Sequence, residues 1–229
     1  MINSPGPAVP NDSRPAAFKA MLSNISRHPI RARTAGLVSG LEALDVATGV
    51  SLARTKDHPA NRALGSVGEV GSWQSLLALS ATVLACGTAV GDRRLAEAGR
   101  DMLAAGIAAG IVKTTLKRTV HRTRPNVLMD EGRYARGRPG TGIGPWQSFP
   151  SGHAALSFAV ARSVARAYPG LAAAAAIAAA GVAAIQVVRG AHFPVDVLAG
   201  AAIGVGAEAV SHRILRPEPD DAGHDPSVS

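Results

Sequence analysis

The chain has 229 residues, enough for one domain with a sizeable core, and 47% of them are apolar although only 3% are aromatic. Its net charge of +8 is compatible with nucleic acid, an anionic membrane surface or an anionic substrate as the partner. Because the basic residues are not interleaved with aromatic side chains that would stack on bases, the composition disfavours nucleic acid, and the single Cys86 excludes an intrachain disulfide.

Alanine is the commonest apolar residue, and 25 glycines accompany it. Such small side chains let helices approach each other closely, as they do in membrane bundles. A soluble, alanine-rich helical bundle is the alternative interpretation. The sequence contains no Cys/His spacing typical of a metal site, so we expect neither a metal nor a cofactor.

The N-terminal part of the chain differs in character from the rest. Residues 1–17 are polar and rich in proline, which predicts a disordered segment. Residues 18–71 predict a basic and amphipathic helical lead-in. Within it, 18–33 predicts a basic surface helix, 34–53 an amphipathic helix lying on the membrane rather than crossing it, and about 60–70 a short helix.

Residues 72–215 predict the helical core of the protein. The apolar run 74–90 predicts its first helix, and 95–122 predicts one long helix that is basic at its end. Pro125 stops that helix. Residues 126–149 then predict a long, functional loop rich in Gly, Pro and Arg.

Three further helices complete the predicted core, over residues 153–167, 171–188 and 195–215, and Pro194 suits the first position of the last one. Residues 216–229 predict a disordered tail. Together these patterns predict an all-α fold with about five core helices. Its uncharged runs are shorter than the roughly 20 residues of a standard membrane span, and 171–188 comes nearest to that length.

Short turns make successive helices alternate in direction. The end of the 95–122 helix, the start of the 153–167 helix and the turn at 190–194 then share one end of the bundle. Four arginines fall at the other end: Arg93, Arg94, Arg162 and Arg166. Basic residues are typical of cytoplasmic ends, so the first end is expected on the non-cytoplasmic face. The basic cluster at 113–138 lies at that first end and argues against this orientation, unless its charges serve to bind an anion.

Three short sequences carry groups that suit phosphate chemistry. Residues Lys117, His121 and Arg124 would share one face of a helix, and converging cations bind phosphate, although a basic helix end also favours its own dipole. Ser151 suits a helix N-cap, and Gly152 lets a bound group approach the backbone N–H groups closely. A simple turn is the alternative interpretation of this sequence.

The third sequence is His192-Phe193-Pro194-Val195-Asp196. A carboxylate in the first helical turn can hold the imidazole through one ring nitrogen and leave the other free for chemistry. The alternative is an ordinary loop histidine beside a capping aspartate.

Together, Lys117-x6-Arg124-Pro125, Pro150-Ser151-Gly152-His153 and His192-x3-Asp196 resemble the type 2 phosphatidic acid phosphatase/vanadium haloperoxidase superfamily over roughly residues 72–212. The resemblance implies a multi-helix membrane bundle of that kind and a metal-independent phosphatase. It implies that His192 attacks phosphorus to form a phosphohistidine, that Asp196 orients His192, and that His153 protonates the leaving oxygen. The groups implied to hold the phosphoryl oxygens are Lys117, Arg124, Ser151 and the Gly152 backbone.

One position departs from the family pattern. The third motif usually carries an arginine six positions before its histidine, and here that position is Gln186. Arg189 lies three residues further along, close to the same helix face, and is predicted to bind the phosphate in its place.

The sequence therefore predicts an integral membrane phosphatase for a lipid phosphate or pyrophosphate of the phosphatidic acid, phosphatidylglycerophosphate or polyprenyl class, with membrane lipids as its other partners. Gln186 leaves open a catalytically weakened or inactive protein that binds anionic lipid. A vanadate-dependent haloperoxidase is a third interpretation, which the short chain and apolar helices disfavour.

Overall fold

The computed structural model describes residues 29–216, and their side chains from residue 39 onward. The chain divides into two compact units, residues 1–44 and 45–229. The predicted disordered segment 1–17, most of the predicted basic helix 18–33 and the tail beyond Arg216 lie outside the described residues. Helix α1, Pro29–Leu52, begins five residues before the helix predicted at 34–53.

Seven further helices follow α1 in the described part of the chain. Their bounds are α2 Pro59–Gly68, α3 Trp73–Val90, α4 Arg93–Thr119, α5 Pro125–Glu131, α6 Gly152–Ala167, α7 Ala172–Val188 and α8 Pro194–Leu215. Short 3-10 helices lie at Ala53–Thr55, Glu69–Gly71, Gly144–Trp146 and Pro169–Leu171. The predicted all-α class is confirmed.

Five of these helices, α3, α4, α6, α7 and α8, pack on one another, and α6 contacts α4, α7 and α8 most extensively. Their core is built mainly from small side chains such as Ala105, Ala109 and Ala155, with Leu156 and Met102 filling the larger spaces. Because the helices can then approach closely, backbone positions are defined tightly.

The contact between α8 and α6 shows this closeness. A Cβ atom at Gly204 would collide with the carbonyl oxygen of Ala155, and one at Gly200 with that of Ser151. Glycine at these positions therefore brings the start of α6 beside the start of α8. The predicted Ser151 and His192 sequences meet for this reason.

Among the described residues, three helices are long and apolar enough to cross a membrane: Trp73–Val90, Pro169–Val188 and Pro194–Leu215. The second has the highest mean hydropathy, 2.2, in agreement with the prediction that residues 171–188 come nearest to a span. The bundle is that of a membrane protein.

The predicted helix 95–122 is wrong at its end, since α4 stops at Thr119 and Val120 is extended. His121–Arg122 form strand β1, which pairs antiparallel with strand β2, Arg136–Gly137. The β-branched residues 119 and 120 favour this switch, and Pro125 starts helix α5 of its own after an extended Arg124.

This early end also corrects the prediction that Lys117, His121 and Arg124 share a helix face. The imidazole Nδ1 of His121 lies 2.7 Å from the carbonyl oxygen of Pro139, in the segment 132–149 between α5 and α6, which we call the outer loop. Lys117 and Arg124 reach a common site through an extended connection instead.

The loop predicted at 126–149 contains regular structure, namely most of α5, the β2 strand and the 3-10 turn at Gly144–Trp146. Two backbone hydrogen bonds bind it to β1 and the residue after it, from Ser148 N to Arg122 O and from Thr123 N to Ala135 O, both at 2.9 Å. The loop is thereby held over the end of α4.

The opposite end of the bundle carries the predicted arginines. Arg162 and Arg166 on α6 both donate to the buried Glu208 on α8. Arg94 donates to the carbonyl oxygen of Ala167 at 2.8 Å. Since α6 begins at Gly152, these cations lie at the far end from the Ser151 and His192 sequences, as predicted from the alternation of helix directions.

Candidate active site

The three predicted sequences meet at one cavity of about 320 Å³. Its walls come from the end of α4, the start of α6, the segment between α7 and α8, and the 3-10 turn before α3. The lining side chains that carry chemistry are Glu69, Lys113, Lys117, Arg124, His153, Gln186, Arg189 and His192.

His192 is almost completely buried, and its Nδ1 lies 2.6 Å from the carbonyl oxygen of Ser148. A carbonyl oxygen only accepts hydrogen bonds, so Nδ1 carries the proton and Nε2 keeps its lone pair for the cavity. Burial, together with the nearby Lys117 and Arg124 cations, holds the pKa of His192 well below its usual value. The ring is therefore neutral at pH 7 and suited to nucleophilic attack.

Asp196 does not hold His192 directly, in contrast to the sequence prediction. Its Oδ2 is 4.0 Å from His192 Nδ1, beyond hydrogen-bond distance. The same oxygen accepts from the Ser148 hydroxyl at 2.5 Å and from the Phe193 N–H at 2.8 Å. Asp196 thus positions Ser148, and the Ser148 backbone in turn positions His192.

A buried ion-pair network supports this arrangement. Arg122 donates to Asp196 and to Asp45, both at 2.6 Å, and its guanidinium stacks over Phe193 at 4.3 Å from the ring centroid. Asp45 also accepts from the Val195 N–H at 2.9 Å. Neither residue was predicted as a site component, because the sequence around Asp45 is typical of an amphipathic helix and that around Arg122 of a basic helix end.

Lys117 lies deep in the cavity wall and donates to the carbonyl oxygen of Gln147 at 2.7 Å. Burial, with smaller effects of Arg124 and Lys113, lowers the pKa of Lys117 to about 8. Arg124 is half-buried, and its Nε atom has no hydrogen-bond partner among the described residues. These two predicted phosphate-binding cations do line the same cavity.

Lys113 is a further cation, which belongs to the basic cluster 113–138 but was not predicted individually to bind phosphate. It lies one turn before Lys117 on α4, a spacing of four residues that would have identified it. Its side chain packs against Gly152, where an added Cβ atom would lie 3.0 Å from Lys113 Cδ. Gly152 therefore makes room for this cation as well as for a bound group.

Ser151 is the N-cap of α6, as predicted, and its Oγ accepts from the Ala154 N–H at 3.4 Å. The residue is completely buried, and its backbone N–H donates to the carbonyl oxygen of Asp196 at 2.9 Å. Within the described structure its hydroxyl serves the helix end, so its contact with phosphate stays a prediction.

His153 follows in the first turn of α6, and its Nε2 atom is buried. Glu69 Oε2 lies 3.5 Å from that nitrogen. Burial lowers the pKa of His153, an effect that the Glu69 carboxylate partly offsets.

Gln186 and Arg189 both line the cavity. Gln186 is completely buried, and neither atom of its carboxamide has a hydrogen-bond partner within residues 39–216. Arg189 Nη1 donates to Glu69 Oε1 at 2.7 Å and to the carbonyl oxygen of Gly65 at 3.3 Å. The structure therefore brings the guanidinium of Arg189 to the cavity wall, close to Gln186, as the sequence predicted.

The cavity is electrostatically suited to an anion. Four cations line it, Lys113, Lys117, Arg124 and Arg189, against the single carboxylate of Glu69. Buried polar atoms without partners are also concentrated there, and buried donors of this kind call for a ligand. Within the described part of the chain, no three His, Cys, Asp or Glu side chains lie close enough together to hold a metal ion.

Two curated proteins are similar to part of the chain. Lipid A 1-phosphatases from Rhizobium etli and Rhizobium johnstonii are each 34% identical over 98 residues, which is 43% of this chain. The matched part is 42% and 40% of those proteins, so the chain covers less than half the length of either relative.

Two solved structures share the fold. The crystal structure of Aquifex aeolicus LpxE has a TM-score of 0.52 at 20% identity, over 74% of this chain and 95% of that one. The transmembrane PAP2 type phosphatidylglycerolphosphate phosphatase from Bacillus subtilis has a TM-score of 0.57 at 19% identity, over 87% and 92%.

The family model of the PAP2 superfamily matches residues 98–219, more than half of the chain, and this range includes all three short sequences that meet at the cavity. The chain belongs to the PAP2 superfamily.

Proposed function

We propose that this protein is a membrane phosphatase that hydrolyses a lipid phosphate through a phosphohistidine intermediate, without a metal ion. One observation carries the proposal: two imidazoles and four cations line a single cavity, in which buried polar atoms lack partners. Such a cavity balances the charge of a phosphoryl group and supplies both a nucleophile and an acid.

In the first step, Nε2 of His192 attacks phosphorus and the bond from phosphorus to the leaving oxygen breaks. His153 donates a proton to that oxygen, so the lipid leaves as a neutral alcohol. The bound phosphate and Glu69 both place negative charge beside His153, which favours its protonated form before the step. Lys113, Lys117, Arg124 and Arg189 balance the charge on the non-bridging oxygens.

In the second step, neutral His153 takes a proton from water, and the oxygen of that water attacks the phosphohistidine. Inorganic phosphate is released, and His192 returns to its neutral form with the proton on Nδ1. The hydrogen bond from Nδ1 to the Ser148 carbonyl keeps the ring in one orientation throughout.

The substrate class follows from the position of the cavity at one end of a membrane bundle, where a phosphate on a lipid headgroup would lie. Similarity to lipid A 1-phosphatases and to the fold of a phosphatidylglycerolphosphate phosphatase supports a lipid phosphate. We place the active site on the non-cytoplasmic face, since Arg93, Arg94, Arg162 and Arg166 mark the other end.

Phosphate release from a panel of lipid phosphates by the detergent-purified protein, with and without EDTA, tests this function. We expect release that EDTA does not affect, and a covalent phosphoryl group on His192 that is stable to base and labile to acid. His192→Ala should reduce kcat by at least about a thousandfold, because it removes the nucleophile. Sensitivity to EDTA would contradict the metal-independent mechanism.

A second candidate function is binding of anionic lipid without turnover, favoured by the neutral Gln186 in place of the family arginine. It predicts no phosphate release by the wild-type protein on any member of the panel. It also predicts lipid binding that survives His192→Ala.

A further inference from the structure

A second cavity, open to solvent and of about 470 Å³, adjoins the candidate active site. Glu69 and Arg189 line both cavities, so the ion pair between them forms the boundary. The side chains that belong to the second cavity alone include Lys56, Asp57, Asn61, Arg62, Asn126 and Asp130.

Close packing holds this boundary in place. Glu69 lies in the 3-10 turn between Gly68 and Gly71. A Cβ atom at Gly68 would lie 2.7 Å from Ile185 on α7, and one at Gly71 would collide with Val182 on the same helix. The turn is therefore seated against α7.

The two cavities differ in charge. The candidate active site has an excess of cations, whereas in the second cavity Lys56, Arg62 and Arg189 face an equal number of carboxylates, Asp57, Glu69 and Asp130. Lys56 is paired at 2.9 Å with Asp57 and at 2.8 Å with Asp130. A balanced polar cavity is suited to a neutral group rather than to a further anion.

Hydrogen-bonding groups in the second cavity suit hydroxyls. Asn126 Oδ1 is buried and has no hydrogen-bond partner among the residues that the structure describes. The Asn126 backbone N–H donates to the carbonyl oxygen of Gly190 at 2.8 Å, which holds this residue beside the turn that carries His192. An acceptor held in this way is satisfied by a hydroxyl group, which donates.

The position of Glu69 relates the second cavity to the reaction. Its Oε2 atom is 3.5 Å from Nε2 of His153, the acid of the proposed reaction, and Glu69 also lines the second cavity. We propose that the second cavity binds the leaving group of the substrate, which is the neutral, hydroxyl-bearing headgroup of a lipid phosphate monoester, and that Glu69 disfavours a leaving group carrying a second phosphate. This rests on the phosphatase function proposed for the first cavity.

The physical basis is charge selection at the boundary. A diphosphate substrate would place its second phosphate against the Glu69 carboxylate and in a cavity with no excess of cations. A hydroxyl-bearing headgroup would instead donate to Glu69 and Asn126. The inference narrows the substrate from lipid phosphates and diphosphates to monoesters.

The test compares kcat/KM of the full-length, detergent-purified protein on three lipids: a monoester whose phosphate is attached to a sugar, phosphatidic acid, and a polyprenyl diphosphate. We expect wild type to prefer the sugar-linked monoester over the diphosphate by at least about tenfold. Glu69→Gln should reduce that preference by about tenfold, because it removes the charge that opposes a second phosphate. Asn126→Ala should raise KM for the sugar-linked lipid relative to phosphatidic acid.

Glu131→Gln is the matched control, because it removes an exposed carboxylate of α5 that lines neither cavity, and it should keep the wild-type ratios. A wild-type protein that releases phosphate but prefers the diphosphate would overturn this inference and leave the proposed function intact. The same holds if Glu69→Gln and Asn126→Ala both keep the wild-type kcat/KM ratios between the lipids. If Glu69→Gln does not fold, the Asn126→Ala result decides. No release from any lipid would overturn the proposed function and this inference with it.

Discussion

Two residues at the C-terminal end of α7, Gln186 and Arg189, both line the candidate active site. Gln186 occupies the family arginine position, buried and with its carboxamide unpaired in the described structure, while Arg189 supplies the guanidinium from three residues further along. Arg189 is already paired with Glu69 at 2.7 Å. A bound phosphate must therefore share this cation with a carboxylate, which weakens its contribution relative to an unpaired arginine.

Arg189→Ala should reduce kcat/KM by about a hundredfold, because a charged donor to the transition state is lost, whereas Gln186→Ala should reduce it less than about tenfold. Steady-state kinetics on the best lipid of the panel measures both. Introducing Gln186→Arg into the Arg189→Ala protein should recover activity by returning a guanidinium to the cavity. Arg133→Ala, at an exposed cation of the outer loop, is the control. The reverse order of the two alanine variants would refute the role of Arg189.

The lowered pKa values of the site residues predict how kcat/KM depends on pH. A lowered histidine pKa means that His192 becomes protonated, and inactive, only below its usual range, so the acid limb of kcat/KM should lie below pH 6.5. Above that limb, deprotonation of His153, whose pKa is also lowered by burial, should reduce kcat/KM. Lys117, with a pKa of about 8, loses its charge as the pH rises through that value, which should give a further fall near pH 8.

Lys117→Arg isolates the fall near pH 8, because a guanidinium stays charged throughout this pH range. The pH profile of this variant should lose the fall near pH 8 and keep the changes at lower pH. A fall near pH 8 that persists in the variant would assign it to another group.

At the scale of the helices, the stability of the protein should depend strongly on the close contact between α8 and α6. Gly204→Ala places a methyl group against the Ala155 carbonyl, whereas Gly206→Ala on the same helix meets nothing within 4 Å. We expect Gly204→Ala to cost about 1–3 kcal/mol of stability through overpacking, and Gly206→Ala to be neutral or slightly stabilising through helix propensity. The thermal inactivation midpoint in detergent measures the difference, and equal midpoints would contradict the packing described here.

Because of the same contact, a substitution that disturbs the packing of α8 on α6 should also lower kcat. Gly200, one turn earlier, lies against Ser151, the N-cap of α6, and α8 begins two residues after His192. Separating the two helices would move His153 away from His192. Loss of stability and loss of kcat should therefore accompany each other in variants of this interface.

At the scale of the whole molecule, the placement of the active end relative to the membrane is testable with single cysteines. In a Cys86→Ser background, Thr141→Cys lies in the outer loop at the active end, and Gly170→Cys lies in the turn between α6 and α7 at the arginine-rich end. In right-side-out membrane vesicles, an impermeant maleimide should label Thr141→Cys, and should label Gly170→Cys only after detergent is added. The opposite pattern would place the active site on the cytoplasmic face.

The helices of the core and the three short motifs that meet at the cavity can be recognised in the sequence alone. Apolar runs, the Ser151 cap and the prolines at positions 125 and 194 act within a few residues, so their effects can be recognised along the chain. The end of α4 was predicted three residues too late, because pairing of β1 with β2 overrides helix propensity there.

The surroundings of the two histidines, in contrast, depend on how the helices pack. Arg122 and Asp45 are 77 residues apart, and Arg189 and Glu69 are 120 apart, so their ion pairs arise from the way the helices pack and leave no local pattern. The support of His192 by the Ser148 carbonyl is likewise invisible in the sequence, because a backbone oxygen belongs to every residue. The second cavity has the same origin, since its walls come from α2, α5 and the turn after α7, which the fold alone brings together.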